Sequence, residues 1–227
     1  MTCSSCGGAI EPGKKFCGDC GAPVEAVAIE VAGTPPPVAE RRLVSVLFAD
    51  LVGFTSASED RDAEETREVL TRYFDGTRQI IERYGGTVEK FIGDAVMAVW
   101  GAPVAQEDDA ERAVRAALDL VSGVALLGQE LGAPELRARA GVLTGEAAVS
   151  LGAEGHGMVA GDLVNTASRI QSAAEPGSVL VGEATKRASE AAIVYEDAGS
   201  HELKGKAESV RLWRASRVVG SRRGEVR

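Results

Sequence analysis

The chain has 227 residues, of which 44% are hydrophobic and 26% charged, a balance typical of a folded globular protein. Its 25 basic and 34 acidic side chains give a net charge of −9, which argues against binding to nucleic acid or anionic lipid through a basic surface. No stretch approaches the roughly 20 apolar residues of a membrane span, and the N-terminus lacks the pattern of a secretory signal. We therefore expect a cytoplasmic protein.

The cysteines form two C-x2-C pairs near the N-terminus: Cys3, Cys6, Cys17 and Cys20. Each pair can present two thiolates to one side of a tetrahedral metal, so a closed set of four predicts one structural Zn²⁺. Two disulfides or four reduced thiols are the alternatives, although a cytosolic setting disfavours disulfides. So short a segment has almost no core, and metal binding would supply its folding energy. The segment resembles zinc ribbons, and we predict one over residues 1–22.

The composition divides the rest of the chain into three parts. Residues 23–40 contain Thr34-Pro-Pro-Pro37 and many small residues, which is typical of a flexible linker. A globular domain is predicted over residues 41–216, followed by a charged tail over residues 217–227.

Hydrophobic periodicity predicts alternating strands and helices within this domain. In chain order they are a strand Leu43–Phe48 ending at Asp50, a helix over 62–84, strands Thr87–Ile92 and Ala95–Trp100 joined by Gly93-Asp94, a helix over 107–131, a hairpin of Arg137–Leu143 and Ala147–Leu151, a helix Leu163–Ala174, and strands near 178–182, 193–197 and 208–214. The order β-α-β-β-α-β, with additions, predicts an α+β, ferredoxin-like sheet with its helices on one face.

Two carboxylates, Asp50 and Asp94, are predicted to lie close together. Asp50 ends the first strand and Asp94 lies at the tip of the hairpin, and a hairpin tip can lie beside the end of a neighbouring strand. Paired carboxylates hold Mg²⁺ against phosphates in many proteins. The Leu51 carbonyl and the backbone amides of Gly53, Phe54 and Thr55 would then serve the metal and the phosphates. Taken singly, each aspartate is more often a turn or capping residue.

Five segments match one protein family in order and spacing. They are Phe48-Ala-Asp-Leu-Val-Gly-Phe-Thr55, Lys90-Phe-Ile-Gly-Asp-Ala-Val-Met-Ala-Val-Trp-Gly101, Gly141-Val-Leu-Thr-Gly-Glu146, Val164-Asn-Thr-Ala-Ser-Arg169 and Leu203-Lys-Gly-Lys206. Through them, the region from about residue 41 to 215 resembles the catalytic domain of class III adenylate and guanylate cyclases. The resemblance implies the conversion of ATP to cyclic AMP and pyrophosphate in intracellular signalling.

The resemblance also implies a role for each matching residue. Asp50 and Asp94, assisted by the Leu51 carbonyl, would bind two Mg²⁺ or Mn²⁺ ions. Arg169 would stabilise charge on the α-phosphoryl group, and Asn165 would position the ribose. Two further residues would contact the substrate: Lys204 the distal phosphates and Lys90 the purine. The family also implies a head-to-tail homodimer in which each site is shared between the subunits.

Met158 departs from the family pattern, which has an aspartate, threonine or serine at this position for purine recognition. A methionine accepts only weak hydrogen bonds, so selection of ATP over GTP is open and a guanylate cyclase is an alternative.

A second alternative is a cyclase-fold module that binds nucleotide or a partner protein without turnover, and a third is a zinc-ribbon adaptor. The joint presence of Asp50, Asp94, Asn165 and Arg169 favours an enzyme, whereas Met158 favours the module. The resemblance also leaves room for further signalling domains.

Overall fold

The computed structural model describes residues 2, 6–9, 17, 19–20, 39–54, 62–150, 159–206 and 208–219. The predictions for Cys3, Thr55 and Met158, and for most of the linker, lie outside these residues. The chain divides into two compact units, Met1–Pro36 and Pro37–Arg227. Within the described ranges, every helix is too short or too polar to cross a membrane.

The second unit is an eight-stranded sheet with four helices in its described part. The elements are β1 (Ala39–Val52), α1 (Ala63–Arg83), β2 (Thr87–Ile92), β3 (Ala95–Trp100), α2 (Asp109–Glu130), β4 (Arg137–Ser150), β5 (Val159–Ala160), α3 (Asp162–Ala173), β6 (Val179–Gly182), α4 (Glu183–Ser189), β7 (Ile193–His201) and β8 (Val210–Val218). The strand order is β2-β3-β1-β4-β6-β8-β7, and β5 pairs with β4. Only the β4–β6 pairing among these described strands is parallel.

The α+β, βαββαβ core is confirmed, but one detail of its layering was wrong. Helices α1 and α2 cover the face of β1 that carries Leu47, Ala49 and Leu51. Helix α3 instead covers the opposite face, where Val46 and Phe48 belong to a second buried cluster. The helices were predicted on one face only. Both sets of alternate residues on β1 are apolar, so both faces of the strand must be covered, as in sheets packed between helices.

The predicted hairpin around Thr144-Gly145-Glu146 was also wrong, because β4 runs unbroken through these residues and pairs with β1 along its length. Gly145 does not mark a turn here. A Cβ atom at Gly145 would lie 2.8 Å from Cδ1 of Leu163, so the glycine makes room for α3. Gly141 has the same role, since a Cβ atom there would lie 2.4 Å from the backbone nitrogen of Gln171. The two glycines of β4 therefore let α3 pack directly on the sheet.

Candidate active site

The register of the sheet brings Asp50 and Asp94 together. Ala49 of β1 opposes Val96 of β3, so Asp50, the next residue of β1, lies beside the start of β3. Asp94 immediately precedes β3 in the tight β2–β3 turn, where Gly93 has a φ of 63°. Burial raises the pKa of the Asp94 carboxyl above its usual value, and the negative charge of Asp50 raises it further. The two carboxylates thus form a close, mutually repelling pair.

The negative charges of Asp50 and Asp94 also act on a buried tyrosine. Tyr73 of α1 is only 2% exposed, and burial is the main reason that its pKa is raised. The negative charges of Asp50 and Asp94 raise it further, while the nearby Thr77 hydroxyl acts in the opposite direction. An added positive ion at the pair would relieve this field, as expected of a site for a divalent cation.

Two neighbours of Asp50 were not predicted from the sequence. Arg139 of β4, which opposes Asp50 in the β1–β4 register, donates from Nη2 to Oδ2 of Asp50 over 3.1 Å. Gln171 of α3 donates from Nε2 to the same oxygen over 3.4 Å. The sequence signals were an arginine between the buried residues Ala138 and Ala140, and a glutamine on the buried side of a helix.

Four other residues predicted at the site lie on β1 and β2 or just after β1. Leu51 is buried in β1, and Phe54 packs against the main core. Gly53 has a φ of 84°, and a Cβ atom there would lie 3.1 Å from the Glu135 carbonyl oxygen, so this position requires glycine. Lys90 is exposed on β2, opposite Met97 and four residues before Asp94. Leu51 and Gly53 thus follow Asp50 closely along the chain, and Lys90 lies on the strand that leads into the Asp94 turn.

Asn165, Arg169 and Lys204 form a second group. Asn165 is exposed on α3, and the Arg169 guanidinium lies beside Gly205, where a Cβ atom would be 3.4 Å from its Nη2. Lys204 is exposed in the same turn. The neighbouring Lys206 forms an ion pair with Asp162 at the start of α3.

The geometry of α3 separates this second group from Asp50 of the same chain. Gln171 contacts Asp50, and successive residues of an α-helix are rotated by about 100°, so Arg169 lies about 200° around the helix from Gln171. Arg169 therefore points away from the carboxylate pair. A single chain brings the two aspartates together but does not bring Arg169 to them.

The N-terminal unit contains a candidate zinc site. The sulfur atoms of Cys6, Cys17 and Cys20 all lie within 4.8 Å of one another, and Cys17 is 3% exposed. The Cys6 and Cys17 sulfurs are 3.7 Å apart. This separation is longer than a disulfide bond of about 2.05 Å. It matches the spacing of about 3.8 Å expected for two thiolates bound to one tetrahedral Zn²⁺ at about 2.3 Å.

Comparisons with known proteins identify the family of the second unit. Residues 37–214 match the family model of the adenylate and guanylate cyclase catalytic domain. Adenylate cyclase 1 of Rhizobium meliloti is 33% identical over 187 residues, which cover 79% of this chain. The crystal structure of the adenylyl cyclase CyaB from P. aeruginosa superposes with a TM-score of 0.74 at 33% identity, covering 82% of this chain and 98% of that one. The guanylyl cyclase Cya2 superposes with a TM-score of 0.73 at 31% identity, covering 82% and 97%.

The curated relatives are longer proteins. The matched region is 28% of Adenylate cyclase 1 of Rhizobium meliloti and 42% of an adenylate cyclase of Mycobacterium tuberculosis. The likeness to both therefore concerns the catalytic domain rather than their full architecture.

Proposed function

Since the chain belongs to the class III adenylate and guanylate cyclase catalytic domain family, we propose that its domain over residues 41–216 converts ATP into cyclic AMP and pyrophosphate. The observation that carries the proposal is the close pair of Asp50 and Asp94 at the ends of neighbouring strands. The negative charge of Asp50 raises the pKa of Asp94, and a divalent cation would stabilise the two carboxylates together; a nucleoside triphosphate requires such a cation.

Asp50, Asp94 and the Leu51 carbonyl fit two Mg²⁺ or Mn²⁺ ions, because all three supply the oxygen ligands that these cations prefer. When bound, the ions supply a lowered pKa at the ribose 3′-hydroxyl and neutralise the triphosphate. Arg139 adds a positive charge beside Asp50.

In the proposed reaction, the ribose 3′-oxygen forms a bond to the α-phosphorus and loses its proton to solvent water. The bond from the α-phosphorus to the bridging oxygen breaks, and pyrophosphate leaves. Arg169 donates hydrogen bonds to the α-phosphoryl oxygens as their charge grows, and Asn165 holds the ribose. Lys204 and the amides of Gly53, Phe54 and Thr55 bind the distal phosphates.

We propose that two chains share each site in a head-to-tail homodimer. The support is the direction of Arg169, which points away from the Asp50 of its own chain. A two-fold axis would place the Arg169 and Asn165 of one subunit against the Asp50 and Asp94 of the other, and would produce two identical sites. Lys90, exposed near Asp94, would contact the purine in the same site.

Guanylate cyclase activity is the second candidate, because the likeness to the guanylyl cyclase Cya2 is nearly as strong as that to the adenylyl cyclase CyaB. The purine-facing residue in the resembled family corresponds here to Met158, which offers the base no strong hydrogen bond. We keep ATP as the proposed substrate because the Lys90 ammonium can donate to the adenine N1 atom.

We also propose that residues 1–22 form a zinc ribbon in which Cys3 completes the set of Cys6, Cys17 and Cys20. The support is the sulfur spacing of the three described cysteines. A structural Zn²⁺ bound by four cysteines would have no open position for a substrate.

The test uses the full chain incubated with ATP or GTP and Mn²⁺ or Mg²⁺, with cyclic AMP and cyclic GMP measured by mass spectrometry. We expect cyclic AMP from the wild type and none above background from Asp94→Asn. Nucleotide binding without either cyclic product would contradict the proposal and support a module without turnover.

A further inference from the structure

Gln171 is a buried polar residue whose position at Asp50 the family resemblance did not assign. We propose that Gln171 is a positioning residue that fixes the orientation of the Asp50 carboxylate for cation binding. The proposal rests on the proposed function of Asp50 and Asp94 as the metal-binding pair, and it adds a residue on α3 to that site.

The contacts of Asp50 define this orientation. Gln171 is 6% exposed, and its Nε2 donates to Oδ2 of Asp50 over 3.4 Å. Arg139 donates to the same Oδ2 over 3.1 Å. Both bonds use Oδ2, so the two donors fix the rotation of the carboxylate and turn Oδ1 away from them.

The two donors differ in how they respond to a bound cation. The Arg139 guanidinium carries a positive charge, and a cation at Asp50 repels it. The Gln171 amide is neutral, so it holds the carboxylate without competing electrostatically with the ion. Gln171 is therefore the donor that keeps Asp50 oriented when the site is loaded.

The position of Gln171 depends on the absence of a side chain at Gly141. A Cβ atom at Gly141 would lie 2.4 Å from the Gln171 nitrogen and 2.8 Å from its Cα, and 2.9 Å from the Ala167 carbonyl oxygen. These are backbone atoms of α3, so the helix rests directly on β4. Because Gly141 is two residues after Arg139 on the same face of β4, the strand aligns both donors with Asp50.

The test measures Mn²⁺ affinity of the nucleotide-free full chain by electron paramagnetic resonance, for the wild type, Gln171→Met and Gln79→Met. Methionine keeps the length and volume of glutamine but removes the donor. Gln79 is exposed on α1, so Gln79→Met makes the same chemical change away from the site. Thermal unfolding of each metal-free protein is recorded in parallel.

We expect Gln171→Met to weaken Mn²⁺ binding about 3- to 10-fold, the size expected when a carboxylate loses one hydrogen bond. The Mn²⁺ concentration that half-saturates turnover should rise by a similar factor, with the melting temperature within about 2 °C of the wild type. Gln79→Met should match the wild type in all three measurements. If Gln171→Met fails to unfold cooperatively, Gln171→Asn, whose amide is one methylene too short to reach Asp50, is measured with the same expectation.

Wild-type Mn²⁺ affinity in the folded Gln171 variant would overturn the proposal. A separate arm tests the site itself: Asp94→Asn should lose most of the bound Mn²⁺. If Asp94→Asn binds Mn²⁺ as the wild type does, the assignment of the metal-binding pair is wrong, whatever the Gln171 variant does.

Discussion

Arg169 and Gln171 lie two residues apart on one helix but point to nearly opposite sides of it. Gln171 donates to Asp50, while the Arg169 guanidinium lies beside Gly205. One side of the helix therefore contacts Asp50 of the same chain, while the proposed catalytic arginine lies on the other side. This arrangement makes the shared site testable with two inactive proteins.

Mixing Asp50→Ala chains with Arg169→Ala chains should restore activity. In a mixed dimer one site carries both lesions and the other carries neither. Random pairing makes about half of the dimers mixed, each with one intact site, so we expect roughly a quarter of wild-type activity. The assay measures cyclic AMP after subunit exchange, which is verified with two differently tagged chains. Exchange without recovery would rule out a shared site.

Asp50→Asn and Asp94→Asn should each lower turnover by about a hundredfold or more, because each removes a charged ligand from the proposed metal pair. Circular dichroism should be unchanged, since both side chains are at least partly exposed at the end of the sheet. Glu107→Gln, at an exposed acidic position between β3 and α2, is the matched control. Near-normal turnover of either aspartate variant with Mg²⁺ would remove the basis for the site.

Asp94→Asn should stabilise the metal-free protein at neutral pH. The pKa of Asp94 is raised in the folded state, so its ionised form costs stability above the unfolded pKa, and this cost disappears as the pH falls through the folded pKa. Because solvent screens this partly exposed group, we expect a rise in melting temperature of only about 1–3 °C at pH 7, vanishing near pH 4. Mg²⁺ should stabilise the wild type but not Asp94→Asn. A lower melting temperature for the variant at pH 7 would contradict the repulsion between Asp94 and Asp50.

Met158→Asp should sharpen the preference for ATP over GTP. A carboxylate can accept from the adenine amino group and repels the guanine carbonyl, and such a polar contact changes discrimination by about 1–2 kcal/mol. The measurement is the ratio of cyclic AMP to cyclic GMP at equal substrate concentrations. An unchanged ratio would mean that residue 158 does not contact the base.

Metal analysis of the full chain should find about one zinc per chain. A shortened protein that begins at Pro37, where the second unit starts, should retain turnover because Asp50, Asp94, Asn165 and Arg169 all lie beyond this point. The start at Pro37 preserves β1, whose first residues fall in the segment that the sequence suggested was linker. A folded but inactive shortened protein would show that the first unit is needed for chemistry.

The local pattern of the sequence predicted those parts of the structure that depend on neighbouring residues. The β2–β3 hairpin and its Gly93-Asp94 turn have the predicted bounds, because strand alternation and a glycine turn are both local signals. The helices α1, α2 and α3 were found within two residues of their ends for the same reason.

The errors arose where distant residues decide the outcome. Gly145 looks like a turn residue, and only the packing of Leu163 above it shows why β4 continues. Likewise, Arg139 contacts Asp50 because the β1–β4 register places them opposite each other. Gln171 contacts Asp50 because α3 packs closely against β4 at Gly141. These contacts join residues that are 89 and 121 positions apart in the chain, so no local pattern could reveal them.

The length of β1 determines how many strand pairs lie between Asp50 and the start of the sheet. Asp50 lies eleven residues after Ala39, a distance of about 36 Å along a strand. Each residue of β1 from Ala39 to Val52 opposes a residue of β4, so a pull on the preceding chain loads this ladder in shear and is shared by many hydrogen bonds at once. A slip of one residue would turn Asp50 to the opposite face of the sheet. The strand thus holds Asp50 in register with Arg139 through a ladder that begins eleven residues earlier.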